Sequence, residues 1–301
     1  MRTAHVGGIP QGIPAFIHFR HTIVLSMDQS TFKTVLAELE NFLFFSSDEY
    51  TGRLSFNACI TAVTVIFIIV VLIHAFIHLL LVQFSEKYRN LKPGAKDNQI
   101  NLTMTIVTLL AVMVISPCYF YASYELQSTV ESRWELPSYV GQLGLLLHCG
   151  CTLYEILCYI FIGKSWEFFI HHILVLGSYI PVLLTGHLGF YAYFDGTVEV
   201  TNVFLCGITI LRVYDLKANI VYLLCGALLW LSFLIVRIFG MSYWLYLFAS
   251  DYWYSQEVFN RNLCFAKWTA VPVTVFLLGL SSTWFVPITK GLLKAVAKKR
   301  D

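Results

Sequence analysis

Seven long apolar runs, separated by short charged connections, leave this chain few ways to fold. They fall at about residues 57–83, 102–122, 139–161, 167–185, 189–211, 219–248 and 268–290. A run of ~18 or more apolar residues with few charges is long enough to cross a bilayer as a helix. In hydrocarbon each backbone N–H and C=O must find its partner within the protein, which selects helices over irregular chain. The expected fold class is therefore an all-α membrane protein with about seven transmembrane helices. Charged residues make up only 13% of the chain, about half the share of a water-soluble domain. A net charge of +2 leaves no basic surplus for a nucleic-acid partner.

The segments around the spans are short. Residues 1–56 form a non-spanning segment in which Phe32, Val35, Leu36, Leu39, Phe42 and Leu43 recur at helical spacing. That pattern predicts an amphipathic helix on the membrane surface or on the bundle, started by Ser30 or Thr31. Residues 12–25 do not read as a signal peptide, because Pro14, His18, Arg20 and His21 interrupt them. Residues 291–301 form a basic tail. Lys and Arg concentrate in the connections 84–101, 162–166 and 212–218 and in that tail. With seven spans all four lie on one side, which predicts a cytosolic C-terminus. Arg133 and Asp251 count as loop charges on the opposite side. Asn101-Leu102-Thr103 is a glycosylation sequon pressed against the membrane on the cytosolic side, and is expected to be unused. The fifth span is the least regular: Gly186, Gly189, Gly196 and Asp195 break its first part, and irregular chain at that depth needs protein cover.

An ionisable side chain at mid-membrane costs about 2.5–3.5 kcal/mol on insertion scales, so such groups should turn inward and mark sites. They are His74, His78, His148, Glu155, His171, His172, Glu199 and Arg237. His171 and His172 are candidates for a base or nucleophile near the cytosolic leaflet; a structural hydrogen-bonded pair explains them equally well. Glu199 and Asn202, three apart, share a helical face and suit either a headgroup or a structural partner. Glu155 and His148 lie on the third span. Arg237 can bind phosphate or carboxylate, or pair with Glu155 or Glu199. His74 and His78, at i and i+4, have metal-ligand spacing, but two histidines and one HH pair are too few for a membrane di-iron site, so no metal is assigned. No motif calls for a cofactor. A seven-span receptor is disfavoured by the lack of DRY-like and NPxxY-like segments. The cysteines, mostly inside apolar runs, read as packing residues.

Tyr154-Glu155, Ser165-Trp166-Glu167-Phe168-Phe169-Ile170-His171-His172, Val198-Glu199-Val200-Thr201-Asn202-Val203-Phe204-Leu205 and the intramembrane Arg237 together resemble the TLC domain, over roughly residues 55–290. That domain is shared by TRAM, the Lag1-type ceramide synthases, the CLN8 protein and the TLC-domain-containing proteins. SWEFFIHH and VEVTNVFL are most similar to TLC-domain-containing proteins 1 and 2. The resemblance implies a TLC-type bundle enclosing a lipid-accessible cavity. It implies regulation of membrane phospholipid composition and fluidity, by limiting the incorporation of polyunsaturated chains.

The enzymatic alternative is a ceramide synthase-like acyltransferase using acyl-CoA. In that branch HH pairs with an HDxxD-like stretch, whereas here Val198 replaces the histidine, Glu199 keeps the first acid and Asn202 replaces the second. The implied catalytic residues are His171, His172 and Glu199, with Glu155, Asn202, Arg237 and His148 contacting substrate. The implied partners are membrane lipids, either phospholipid or acyl-CoA. By helix length Glu199 lies ~20 Å from the cytosolic end of its span while His171 is within about a turn of its own, so a shared site requires a broken helix, a tilt or a deep cavity. Lys298 and Lys299 resemble a dilysine signal for the endoplasmic reticulum, while the relatives named point partly to the plasma membrane.

Overall fold

The computed structural model describes residues 53–92, 98–135, 137–163, 165–256 and 264–297. The chain divides into units 1–46 and 47–301, and all described residues belong to the second. The amphipathic helix expected over 32–43 and the dilysine end lie outside the described residues.

Helices account for nearly all of the described chain. They are α1 (Phe56–Phe84), α2 (Glu86–Arg89), α3 (Gln99–Leu126), α4 (Val130–Glu135), α5 (Tyr139–Ile162) and α6 (Trp166–Thr185). Next come α7 (Gly189–Gly196), a 3-10 turn (Thr197–Glu199) and α8 (Val200–Val213), which make one span with a tightened turn in the middle. Then α9 (Ile220–Ser232), a π-helical stretch (Phe233–Gly240) and α10 (Met241–Tyr254) make another, followed by α11 (Cys264–Ala297). Seven helices or helix combinations are long and apolar enough to cross a membrane. The sixth runs six residues past the expected end at 248, and α11 continues beyond 290 into what was read as tail.

Polar side chains start the helices where apolar periodicity begins. Ser55, Asn98, Ser138 and Asn219 accept hydrogen bonds from backbone N–H groups of the first turns of α1, α3, α5 and α9, satisfying donors that a helix start leaves unpaired. Gly163 ends α5 at φ 68°, a left-handed conformation that glycine adopts without steric penalty. The next helix, α6, begins at Trp166.

Six spans close a ring. The α3 helix packs on α5, α5 on α6, α6 on α11, α11 on α9, α9 on α8, and α8 returns to α3. The α1 helix stands outside this ring against α5. It buries only Cys59, Ala62, Val63, Ile66 and Val70, one stripe at helical spacing. Lipid is as apolar as leucine, so close packing and interhelical hydrogen bonds hold such helices together. Small residues permit that approach: a Cβ on Gly150 would sit 2.4 Å from Ile66 Cγ2, and one on Gly196 2.4 Å from the Tyr119 ring. Asn101, 6% exposed, and Thr103, fully buried, sit within α3, consistent with a sequon closed to modification.

Candidate functional site

Every span of the ring sends a polar or aromatic side chain into its interior, and the antiparallel hairpin of α5 and α6 sets their register. Counting outward from Gly163, partners lie nearly equal distances from the turn. Tyr159 meets Phe168 with ring centroids 5.7 Å apart, Glu155 meets His172 at 3.4 Å, and His148 meets Tyr179 with centroids 5.2 Å apart.

The cluster at the Gly163 end is built on His172, which is 7% exposed. Its Nε2 lies 3.0 Å from the Tyr159 hydroxyl and 3.4 Å from Glu155 Oε2. The other Glu155 oxygen accepts from the Thr108 hydroxyl of α3 at 2.5 Å. His172 Nδ1 and His171 Nδ1 are buried without a hydrogen-bond partner. The two imidazoles meet edge-on at 5.0 Å, and His171 also meets Trp284 of α11 at 5.8 Å. A neutral His172 that donates from Nε2 toward Glu155 keeps the lone pair of Nδ1 for a proton or a reacting atom.

The second cluster lies deeper. Glu199, in the 3-10 turn, accepts from Asn202 Nδ2 at 2.7 Å, and its other oxygen is 4.0 Å from His148 Nε2. His148 Nδ1 lies 3.0 Å from the Tyr119 hydroxyl. Arg237, 5% exposed, donates from Nε to Thr201 Oγ1 at 2.9 Å and lies over the Phe233 ring at 5.1 Å. It interacts electrostatically with both Glu199 and Asp195. The π-helical stretch centres on this arginine; such wide turns inside α-helices concentrate at functional positions.

The seven residues singled out from sequence thus converge on one interior, but in a different pairing. His171, His172 and Glu199 share this interior, and Glu199 interacts electrostatically with His172, but the carboxylate within 4 Å of His172 is Glu155 and the histidine within 4 Å of Glu199 is His148. The direct partner of Arg237 is Thr201, not Glu155 or Glu199. The 3-10 turn at 197–199 carries Glu199 into the interior, where it is 8% exposed. His74 and His78 each meet a tyrosine: Nδ1 of His74 is 2.6 Å from the Tyr154 hydroxyl and Nδ1 of His78 is 2.6 Å from that of Tyr88. Among the described residues no three His, Cys, Asp or Glu side chains are grouped as a metal ion requires.

Two features escaped the sequence reading. One is a cavity of about 30 Å³ between α6, α7, α10 and α11, whose wall includes Ser178, Tyr179, Asp195, Trp244 and Thr274. None of the seven residues singled out lines it. The other is a buried ionic lock. Arg133 donates to both oxygens of Asp251, from Nε at 2.7 Å and from a terminal nitrogen at 2.5 Å. Trp134 Nε1 (3.2 Å) and the Tyr191 hydroxyl (2.5 Å) donate to the same carboxylate. Arg133 and Asp251 are 9% and 4% exposed, so neither is the loop charge it was taken for. The signal was faint: an arginine and an aspartate each beside aromatic residues at the end of an apolar run.

The family model for the TLC domain matches residues 99–290. No curated protein and no solved structure matches the chain at a significant level. The match starts at α3, not at 55 as the motifs suggested. It therefore covers the six-helix ring with its polar interior and leaves out the peripheral α1. With that match over most of its length and seven helices fit to span a bilayer, the chain belongs to the TLC domain family, integral membrane proteins associated with lipid metabolism and homeostasis.

Proposed function

We propose that this protein regulates membrane phospholipid composition and fluidity, limiting the incorporation of polyunsaturated chains. The observation that carries the reading is a ring of apolar helices around buried histidines and carboxylates. Polar groups so costly in hydrocarbon are suited to holding a lipid headgroup or an acyl carbonyl, while the apolar helix faces accommodate chains. The likeness of SWEFFIHH and VEVTNVFL to TLC-domain-containing proteins 1 and 2 supports phospholipid as the lipid class.

A second reading, acyl transfer from acyl-CoA, is favoured by the 3.4 Å approach of His172 Nε2 to Glu155. In that reaction His172 Nδ1 takes the proton of a lipid hydroxyl or amine as it attacks the thioester carbonyl. Glu155 stabilises the resulting imidazolium, and the proton passes to the departing thiolate of coenzyme A. The acid comes from α5, so the loss of the second Lag-type acid at Asn202 leaves this pairing intact.

Comparative lipidomics of cells lacking the protein tests both readings, with rescue by wild type, His171→Ala/His172→Ala or Glu155→Gln. The regulator reading expects more polyunsaturated phospholipid on loss, with ceramides unchanged. A change in ceramides alone overturns it. Full rescue by the double histidine variant removes the acyl-transfer reading.

A further inference from the structure

The cavity beside Asp195 adjoins the His148 cluster through Tyr179, but its chemistry is of another kind. Asp195 is 7% exposed, and its Oδ1 has no hydrogen-bond partner. The hydroxyl of Tyr179 faces the same carboxylate. Ser178, Tyr179 and Thr274 bring neutral oxygens to the cavity wall beside Asp195. An oxygen-only set with one carboxylate is hard-ligand chemistry, unsuited to zinc or copper. A divalent ion in such a set would ordinarily be met by more than one carboxylate.

The charge balance points the same way. Asp195 and Glu199 both interact with one guanidinium, Arg237. With both carboxylates ionised, these two acids and one permanent cation carry one net negative charge, and such a surplus is costly inside a membrane bundle. Of the other titratable groups nearby, His148 stands beside Glu199, His172 beside Glu155, and His171 beside His172. None of these contacts reaches Asp195. The space, about 30 Å³, exceeds the roughly 10–15 Å³ that one water needs and is far below the several hundred Å³ of a drug-sized ligand pocket. A bare alkali ion or a primary ammonium group fits.

We propose that the cavity lined by Asp195, Tyr179, Ser178 and Thr274 binds a small monovalent cation, either an alkali ion or the primary ammonium of an aminolipid headgroup. The site bridges α6, α7 and α11, so occupancy ties the fifth span to the far side of the ring.

The test is thermal unfolding of the full chain in phosphatidylcholine nanodiscs at constant ionic strength, with N-methylglucamine as the inert cation. Sodium, potassium and ethanolammonium chlorides are titrated separately. The expected result is a saturable rise in Tm of about 3–6 °C at tenfold the dissociation constant, lost in Asp195→Asn and weakened in Thr274→Val. A response to an alkali ion assigns the inorganic source. A response to ethanolammonium alone assigns the headgroup, and phosphatidylethanolamine in the nanodisc should then reproduce it. If Asp195→Asn does not fold, saturable sodium-23 line broadening by wild type, reduced in Thr274→Val, replaces it for the alkali arm. For the ammonium arm, loss of the ethanolammonium shift in Thr274→Val serves. Equal Tm of wild type in all cations overturns the proposal, because a proton on Asp195 then accounts for the charge.

Discussion

Asp251→Ala should be the most damaging single substitution away from the ring's histidines. Asp251 accepts four hydrogen bonds: two from Arg133, one from Trp134 and one from Tyr191. Removing the carboxylate leaves a guanidinium whose side chain is only 11% exposed without its counter-charge. Breaking a buried ion pair from one side costs about 3–5 kcal/mol. Arg133 keeps its bond to the Gln127 carbonyl at 2.9 Å, which argues for the lower half of that range. At roughly 2–4 °C per kcal/mol for a chain approaching this size, Tm should fall by about 6–16 °C. The assay is thermal unfolding in nanodiscs, followed by tryptophan fluorescence because Trp134 sits in the cluster. A cycle with Arg133→Ala should show coupling of about 2 kcal/mol or more. The reasoning fails if Asp251→Ala lowers Tm by less than about 2 °C, or if the two substitutions add.

Gly196→Ala would place a Cβ 2.4 Å from the Tyr119 ring. It should cost about 1–3 kcal/mol in chemical denaturation and be partly rescued by Tyr119→Leu, whereas a similar loss in both backgrounds would separate the two residues. Asp215, in the connection between the fifth and sixth spans, pairs with Lys87, which holds its carboxyl below the usual carboxylate range. A depressed folded value contributes stability that is present above pH ~3.8 and lost as pH falls through the folded value. Because both partners are exposed the contribution is small, so Asp215→Asn should lower Tm slightly at pH 7 and flatten the acid limb of the Tm–pH profile by the same small amount. An unaltered acid limb would assign that limb to other groups.

The spans were legible because hydrophobic run length depends on composition alone and needs no knowledge of neighbours. The irregular start expected for the fifth span from Gly186, Gly189, Gly196 and Asp195 is not what forms: 189–196 is regular helix, and only a tightened turn at 197–199 interrupts the span. The His172–Glu155 pair could have been read by counting outward from Gly163, because an antiparallel hairpin with a tight turn fixes which residues meet. The expectation paired His172 with Glu199 instead, following motif order rather than hairpin register. Arg133 and Asp251 are 118 residues apart. Their meeting depends on how α4 and α10 come together, which local periodicity does not encode. The π-helical stretch was equally hidden, because Phe233–Gly240 contains no proline and its one glycine, Gly240, falls at its end.

That stretch has a mechanical consequence. Arg237 lies within it, and Asp251 lies beyond it on the same continuous rod. Each α-helical residue turns the rod by about 100°, so the wide turns at 233–240 act as a fixed-angle coupling that aims both side chains at once. Adding or removing one residue there would swing the Asp251 carboxylate away from Arg133 even if Arg237 kept its place. Exchanging one lipid-facing residue for another would do nothing of the kind. Length in this segment should therefore be held more tightly than sequence, as in a shaft whose two cranks must stay in phase.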